Sequence, residues 1–188
     1  MSHLGHRVCP WWIGYFLASP LRKLRQHPHT ILAPFVREGM VVLEPGPGMG
    51  FFTLDLARLV GPSGRVVAVD VQGRMLSALR RRAGRAHLLG RIETRQVTDT
   101  CLGIGDLNGQ VDFTLACYVV HEVPDAARFL AEVAAALKPG AGLLLAEPKG
   151  HVTEPQFTAT LELAERSGLR VESRPAIPSS RAALLVKN

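Results

Sequence analysis

One stretch of this chain carries most of its structural information: Val41-Val42-Leu43-Glu44-Pro45-Gly46-Pro47-Gly48-Met49-Gly50-Phe51-Phe52. The short β-branched run that ends in an acid predicts a buried strand, and a helical pattern begins at the phenylalanines. The alternating glycines between them predict a tight turn in which the backbone can approach a ligand closely. Open α/β sheets bind ligands at such turns, because they lie at the carboxyl ends of the strands.

The same design repeats outward from this stretch. Further short apolar runs predict strands at Val66–Asp70, Ile92–Val97, Val111–Ala116 and Leu143–Ala146. Amphipathic patterns between and after these runs predict helices at Phe51–Val60, Gln72–Ala86, Pro124–Lys138 and Phe157–Ser167. Pro139-Gly140 is expected to end the third of these helices. Alternating strands and helices indicate a parallel sheet that is covered on both faces.

The tail of the sequence departs from this alternation. Two runs, Leu169–Arg174 and Ala182–Lys187, read as strands with only Pro175–Arg181 between them. That connection is too short for a crossover helix, so the two strands should pair antiparallel. We therefore expect an α/β, Rossmann-like, doubly wound sheet of seven strands, mostly parallel, with one antiparallel strand near the edge.

Composition narrows the class of protein. The chain has 188 residues, a formal net charge of +6 and 47% hydrophobic residues, which suits a globular domain and excludes a disordered one. Its three cysteines are scattered, with no CxxC and no Cys/His cluster, so neither a disulfide framework nor a zinc site is predicted. No apolar run reaches the ~18–20 residues of a membrane span. A reducing, cytoplasmic setting is the simplest interpretation.

Residues 1–36 differ from the rest, and we expect the main domain to cover residues 37–188. The first segment contains Trp11 and Trp12 next to basic residues. It fits a lid or helix over the mouth of a pocket, a contact with a membrane surface, or a homodimer contact. It fits a signal peptide poorly, because proline and glycine interrupt its apolar part.

The glycine turn favours one ligand class over another. Dinucleotide sites use a G-x-G-x-x-G pattern, whereas here the third glycine comes one position early, at Gly50. Glu44 stands just before the turn and would repel a phosphate, but it would suit a ligand that carries an ammonium and a sulfonium. A nicotinamide-dependent oxidoreductase and a tight turn without a ligand stay open as alternatives.

Several motifs, in order, resemble those of class I S-adenosylmethionine-dependent methyltransferases, over roughly residues 37–188. The acid and the three glycines of the turn resemble the first motif of that family, and Val66–Asp70, 20 residues after Gly50, resembles the second. Thr98-Asp99 is similar to the adenine-edge motif, and Val111–Val123 to the fourth-strand motif. The stretch Leu137-Lys138-Pro139-Gly140-Ala141-Gly142-Leu143-Leu144-Leu145-Ala146-Glu147-Pro148 resembles the family's L-K-P-G-G-x-L-L-x-x-E-P segment.

This resemblance implies S-adenosyl-L-methionine as the cofactor, with S-adenosyl-L-homocysteine as its product, and a set of binding residues. Glu44 would orient the ammonium end, Asp70 would accept both ribose hydroxyls, and Asp99 would accept from the adenine amino group. The implied cofactor-binding residues are Glu44, Gly46, Gly48, Gly50, Asp70, Val71, Met75, Asp99 and Cys117. Simpler roles stay open: a strand-end cap for Asp70 and a turn-forming residue for Asp99.

The donor of such a reaction is already activated, so the protein mainly supplies alignment, and a base is needed only if the acceptor loses a proton. His121 follows the fourth strand and is a candidate base, a contact to the acceptor, or a cap of the next helix. Tyr118 is the second catalytic candidate. Glu147, Lys149 and His151 are further candidates on the acceptor side.

The acceptor is less certain than the cofactor. The His-Glu-Val-Pro and Glu-Pro stretches resemble quinone-ring and other small-molecule methyltransferases best, which implies a small or lipid-like acceptor. A protein or RNA methyltransferase is the alternative within enzymes. A non-enzymatic, basic nucleic-acid-binding module is the alternative outside them, because seven arginines lie between Arg74 and Arg95. Cys9 and Cys117 also raise thiol-dependent arsenite methylation, although that chemistry normally uses more cysteines.

Overall fold

The computed structural model describes residues 27–188, so the expectations for Trp11, Trp12 and Cys9 lie outside the described residues. The described part begins with helix α1 (Pro28–Leu32), strand β1 (Val41–Pro45), helix α2 (Thr53–Leu59), strand β2 (Arg65–Asp70) and helix α3 (Gly73–Arg85). It continues with β3 (Ile92–Gln96), β4 (Val111–Cys117), α4 (Ala126–Ala136) and β5 (Leu137–Pro148). The last elements are α5 (Glu154–Arg166), β6 (Leu169–Ser173) and β7 (Ser180–Lys187).

The seven strands form one sheet in the order β3-β2-β1-β4-β5-β7-β6. The first five strands are parallel, while β7 runs antiparallel to both β5 and β6. The predicted fold class is therefore confirmed, including the reversed strand near the edge. Chain order reverses between β1 and β4, and the carboxyl ends of these strands form the crevice in which sheets of this kind bind ligands.

Two hydrophobic layers cover the sheet, because neighbouring residues of each strand point to opposite faces. On one face, Val42 packs with α1 and α2 through Leu32 and Leu56. On the other, Leu43 packs with α4 and α5 through Leu130 and Phe157. Burial on both faces explains why the strands are continuous apolar runs in the sequence.

Several predicted boundaries differ from the structure by a few residues. Helix α4, predicted over Pro124–Lys138, ends at Ala136 rather than Lys138. Strand β5 starts at Leu137, which pairs with Val111. Proline disfavours a helical conformation in the residue before it, so Lys138 is extended and Pro139 lies inside the strand. The last helix begins at Glu154 rather than Phe157, because Thr153 forms a capping box.

The described end of the N-terminal segment belongs to the core. Leu32 and Val36 are 0% and 3% exposed and lie in the same hydrophobic layer as α2. The predicted boundary at residue 37, and the role of the segment before it, stay predictions.

Candidate functional site

A cleft opens at the carboxyl ends of β1, β2 and β4. Nine of the eleven predicted site residues line it: Glu44, Gly46, Gly48, Asp70, Val71, Met75, Asp99, Cys117 and Tyr118. Gly50 and His121 are not among the lining residues. The sequence-predicted residues thus come together around one space, and their individual roles stay predictions.

The glycine turn forms one wall of the cleft. Gly46, Gly48 and Gly50 have positive φ angles of 66°, 53° and 84°, a region that L-residues with side chains rarely adopt. A Cβ atom at Gly50 would collide with Leu79, whereas one at Gly48 would have no atom within 4 Å. Gly50 is thus needed for packing of the turn on α3, and Gly48 leaves space beside the cleft. Arg82 of α3 also holds the turn, by donating to the carbonyl oxygen of Met49.

Glu44 lies at the end of β1 and is only 3% exposed. Burial raises its pKa to about 8, the nearby Thr53 hydroxyl opposes that rise, and the charge of Asp70 adds to it. Thr53 lies close enough to act on this pKa, yet neither Oε2 of Glu44 nor Oγ1 of Thr53 completes a hydrogen bond among residues 27–188. A buried carboxylate oxygen without a partner is costly, so the site is suited to a cationic or hydrogen-bond-donating ligand.

Asp70 lies at the end of β2 and is 9% exposed. Its Oδ1 accepts a hydrogen bond from the backbone N–H of Gln72 at 2.8 Å, which is the strand-end cap that the sequence left open. Burial raises the pKa of Asp70 to about 6, backbone N–H groups of Gln72 and Gly48 oppose the rise, and the charge of Glu122 adds to it. The cap uses one oxygen of the carboxylate and is compatible with a ligand on the other.

The charge of the cleft is opposite to that of the whole chain. Among its described lining residues are six acids, Glu44, Asp70, Asp99, Glu122, Asp125 and Glu132, and a single cation, Arg128. The chain as a whole carries a formal +6. A cleft of this charge favours a cationic ligand and disfavours a phosphate.

On the other side of the cleft, the turn after β4 is tightly bound to β5 and β7. Tyr118 has a φ of 62°, an uncommon conformation for a residue with a side chain. Its N–H donates to the carbonyl of Ala146 at 2.8 Å, and its hydroxyl lies 2.5 Å from Oγ of Ser180. These contacts with two neighbouring strands hold the strained residue in place.

His121 forms a pair with Glu147. Its Nδ1 is hydrogen-bonded to Oε2 of Glu147, and the backbone N–H of Val120 donates to Oε1 of the same carboxylate at 2.9 Å. The interpretation of His121 as a helix cap is wrong: Asp125 is the cap of α4 and accepts from the N–H of Arg128 at 2.9 Å. His151 adds an edge-on ring contact, with its centroid 5.8 Å from that of His121.

Sequence reasoning missed a third group at the cleft. Oε2 of Glu132 accepts from the backbone N–H of Leu102 at 2.8 Å, and its Oε1 accepts from Nε of Arg128 at 3.0 Å. This carboxylate therefore ties the loop after β3 to α4. The four-residue spacing of Arg128 and Glu132 on a predicted helix was the available signal.

Other kinds of site find no support in the described part of the chain. No cluster of three or more metal-ligating side chains occurs within residues 27–188. The two described cysteines, Cys101 and Cys117, are free thiols. Among the described helices, none combines the length and apolar character that crossing a bilayer requires. Arg74, Arg80, Arg81 and Arg85 lie exposed along α3, and a nucleic-acid partner for them stays a prediction.

Comparison with known proteins agrees with this geometry. The sequence model of a methyltransferase domain matches residues 42–140. A ubiquinone/menaquinone biosynthesis C-methyltransferase of Pasteurella multocida is 31% identical over 126 residues, which is 67% of this chain and 46% of that protein. The corresponding enzyme of Cronobacter sakazakii is 32% identical over 126 residues, or 67% and 49% of the two chains. The chain thus spans about half the length of these relatives.

Solved structures show the same fold. A SAM-dependent methyltransferase from Aquifex aeolicus superimposes with a TM-score of 0.83, covers 95% of this chain and 98% of its own, and is 24% identical. A methyltransferase from Haloferax volcanii, solved with the activator Trm112, gives a TM-score of 0.71 at 17% identity, covering 92% and 96% of the two chains. Identities this low carry the fold and nothing further.

Proposed function

Because the chain belongs to the class I S-adenosylmethionine-dependent methyltransferase family, we propose that it transfers a methyl group to a small, quinone-like ring. The family predicted from the sequence is confirmed, and membership in it argues against the non-enzymatic and nicotinamide-dependent alternatives. The observation that carries the proposed site is the buried Glu44 side chain beside Asp70 at the glycine turn, whose Oε2 has no hydrogen-bond partner among residues 27–188.

The described residues fit the cofactor. Glu44 would accept a hydrogen bond from the ammonium group of the cofactor. The space beside Gly48 would admit the part of the cofactor that faces the backbone of the glycine turn. Asp70 would accept from the ribose hydroxyls, as carboxylates do in charge-assisted pairs. Val71 and Asp99, on the loops after β2 and β3, and Met75, in the first turn of α3, would contact the adenine. Cys117, the last residue of β4, would lie near the methionine part. Gly50 would act indirectly, by packing the turn against Leu79.

The cofactor supplies a methyl group on a positively charged sulfur, which is an activated leaving group. The residues of this chain then have three tasks: to bind, to align the acceptor and to exclude water. Glu44 and Asp70 would be compensated by a cationic ligand, so both should lose their protons when it binds. Tyr118 and Glu122 would contact the acceptor from the wall formed after β4.

Two observations support a small apolar acceptor. The far side of the cleft is lined by Leu102, Val123, Pro124 and Phe129, which suit a flat hydrocarbon ring. The relatives named above methylate carbon in ubiquinone and menaquinone biosynthesis, according to their names. A cytoplasmic setting is part of the same proposal, and the free thiols of Cys101 and Cys117 fit a reducing compartment.

Thermal unfolding with and without millimolar S-adenosylhomocysteine tests the cofactor site. Ligand at 100-fold excess over its Kd should stabilise the native protein by about 2.7 kcal/mol. Asp70→Ala should lose this stabilisation, since it removes the predicted ribose contact. Asp106→Ala is the matched control, because Asp106 is an exposed acid that pairs with Arg95 outside the cleft.

A native protein without a shift, or an Asp70→Ala variant that keeps the full shift, would contradict the proposed site. The acceptor is tested separately. The protein is incubated with S-adenosylmethionine and a short-chain benzoquinol or naphthoquinol, and the product is analysed by mass spectrometry. The expected product carries one extra methyl group on a ring carbon. Methylation of RNA or protein, with none of the quinols, would favour the alternative acceptors.

A further inference from the structure

We propose that His121 accepts the proton that methyl transfer releases, and that buried Glu147 is the positioning residue that holds its imidazole for this task. Glu122 connects the pair to the cleft. This inference rests on the proposed function, because it concerns a reaction at the same cleft. It adds to that function a route for the proton and a role for a carboxylate that does not touch the ligand.

The reaction must release one proton per turnover. A cationic sulfonium donor becomes a neutral thioether when the carbon–sulfur bond breaks and its electron pair stays on sulfur. The new carbon–carbon bond replaces a carbon–hydrogen bond of the acceptor ring, so a neutral ring ends as a neutral methylated ring. One positive charge therefore leaves as a proton, and no oxidant or further reactant is needed. A base beside the acceptor ring speeds this step.

The contacts of Glu147 fix how His121 can take that proton. Glu147 is 1% exposed, and its two oxygens are occupied by the N–H of Val120 and by Nδ1 of His121. A carboxylate accepts but cannot donate, so the neutral imidazole must carry its hydrogen on Nδ1. Its lone pair is then on Nε2, and this nitrogen is the one free to accept a proton.

The imidazole reaches the cleft through Glu122. Nε2 of His121 lies 3.9 Å from Oε1 of Glu122, and Glu122 lines the cleft while His121 does not. A proton that leaves the acceptor would reach His121 by way of the Glu122 carboxylate, and a bridging water or a small rotation of the Glu122 side chain would close the 3.9 Å gap, which is too long for a direct hydrogen bond. The pairing of β4 with β5 creates this juxtaposition, since it brings the end of one strand beside Glu147 of the other.

The charges around His121 suit a proton acceptor. Burial of the imidazole disfavours its charged form, but the hydrogen bond to Glu147 and the charges of Glu147 and Glu122 outweigh it and raise the pKa of His121. Among the described residues, His151 on the loop after β5 is a further titratable group that faces the ring. The resulting imidazolium would lie between two carboxylates, each of which stabilises it.

Glu147→Gln tests the positioning role. The glutamine oxygen can still accept from Val120, while its NH₂ group donates to Nδ1 and so moves the imidazole hydrogen to Nε2. We expect the stabilisation by S-adenosylhomocysteine to survive and kcat to fall about 10- to 100-fold, as it does when a metal-bound histidine loses its carboxylate partner. The titration of the His121 ring protons, followed by NMR, should shift to lower pH.

His121→Gln identifies the His121 signal by its disappearance, and it should lower kcat at least as much as Glu147→Gln. It also keeps the test decisive if Glu147→Gln fails to fold. His29→Gln is the matched control, because it removes an exposed imidazole of α1 that does not line the cleft and leaves the His121–Glu147 pair in place. It should leave kcat and the pH at which His121 titrates close to their native values.

Two results would overturn the inference: a His121 titration that Glu147→Gln does not move, or a kcat that His121→Gln does not lower. The rise of kcat with pH should follow the native His121 titration and move to lower pH in Glu147→Gln. The NMR titration needs neither cofactor nor acceptor. If the native protein fails to bind S-adenosylhomocysteine, the proposed function fails, while the titration still decides whether Glu147 controls His121.

Discussion

The two sides of the cleft satisfy their buried carboxylates in opposite ways. On the turn side, at the ends of β1 and β2, Glu44 has an oxygen with no partner among residues 27–188. The dyad side, at the ends of β4 and β5, is named after the pair His121 and Glu147. There, both oxygens of Glu147 accept hydrogen bonds from this chain. The turn side is incomplete without a ligand, whereas the dyad side is already complete.

This difference indicates what each side exchanges with its surroundings. Burying a carboxyl oxygen without a hydrogen bond costs free energy, and burial makes the group keep its proton, so the incomplete side is less stable than it could be. A cationic ligand would restore that free energy when it binds. On the dyad side the hydrogen bonds of Glu147 are already made, so a ligand would not add to its stability in this way. The His121 imidazole can still bind a proton.

The largest effect on stability is expected from the glycine turn. Gly50→Ala should lower the free energy of unfolding by roughly 2–4 kcal/mol, because it adds strain at a positive φ and a collision with Leu79. Gly48→Ala is the matched control with the same added methyl group. It should cost only about 1 kcal/mol, from its positive φ, since its Cβ meets no atom.

Urea unfolding of the two variants measures this difference. S-adenosylhomocysteine should stabilise Gly48→Ala less than the native protein, since the new methyl group occupies space beside the cleft. Equal losses of stability in both variants would mean that the packing of Gly50 on Leu79 does not distinguish the two positions.

Glu44→Gln should change how stability depends on pH. The pKa of Glu44 is raised by burial to about 8 in the folded chain, against an ordinary value of 4.5. Between those values the folded chain holds a proton that the unfolded chain has lost, so stability must fall as pH rises. Each fully titrating group contributes up to about 1.4 kcal/mol per pH unit.

The comparison is sharpest between pH 6 and pH 8, above the folded pKa of Asp70, which is about 6. In that interval the free energy of unfolding should fall less steeply for Glu44→Gln than for the native chain. Glu165→Gln, at an exposed position, should keep the native slope. A Glu44→Gln variant with the native slope would show that Glu44 is ionised in the folded chain.

The smallest effect is expected on the dyad side. Tyr118→Phe removes the hydroxyl that lies 2.5 Å from Oγ of Ser180 and should cost about 1 kcal/mol, or about 2–4 °C in Tm. Ser180→Ala and the double variant complete a cycle. If the two hydroxyls interact, the double variant should lose less stability than the sum of the single ones. Strict additivity would contradict the contact.

The turn side could be predicted from the sequence better than the dyad side. Glu44, Gly48 and Asp70 lie in two local strand–turn motifs, and these give the position of each residue without knowledge of the whole sheet. Glu147 is 26 residues from His121, and the pairing of β4 with β5 is what brings the two together. The sequence offered both as candidates but could not predict their hydrogen bond.

The strand boundaries show the same limit. The strand β5 was predicted from its most apolar part, Leu143–Ala146, but it extends over Leu137–Pro148. The register between β4 and β5 shifts between Val111, which pairs with Leu137, and Phe113, which pairs with Gly142. This shift decides which of the first residues of β5 are paired. No local pattern encodes that shift. The role of the cleft-lining Glu132 was equally hidden, because its partner Leu102 lies 30 residues away.

The position of β7 between β5 and β6 has a consequence for biosynthesis. β6 leaves the ribosome before β7, yet it is bonded to the sheet through β7 and cannot join earlier. Until β7 emerges, β5 presents an unpaired edge, which is a site for aggregation in a nascent chain. Ser180, the first residue of β7, also contacts Tyr118. The turn side of the cleft can therefore form during synthesis, while the dyad side is finished last.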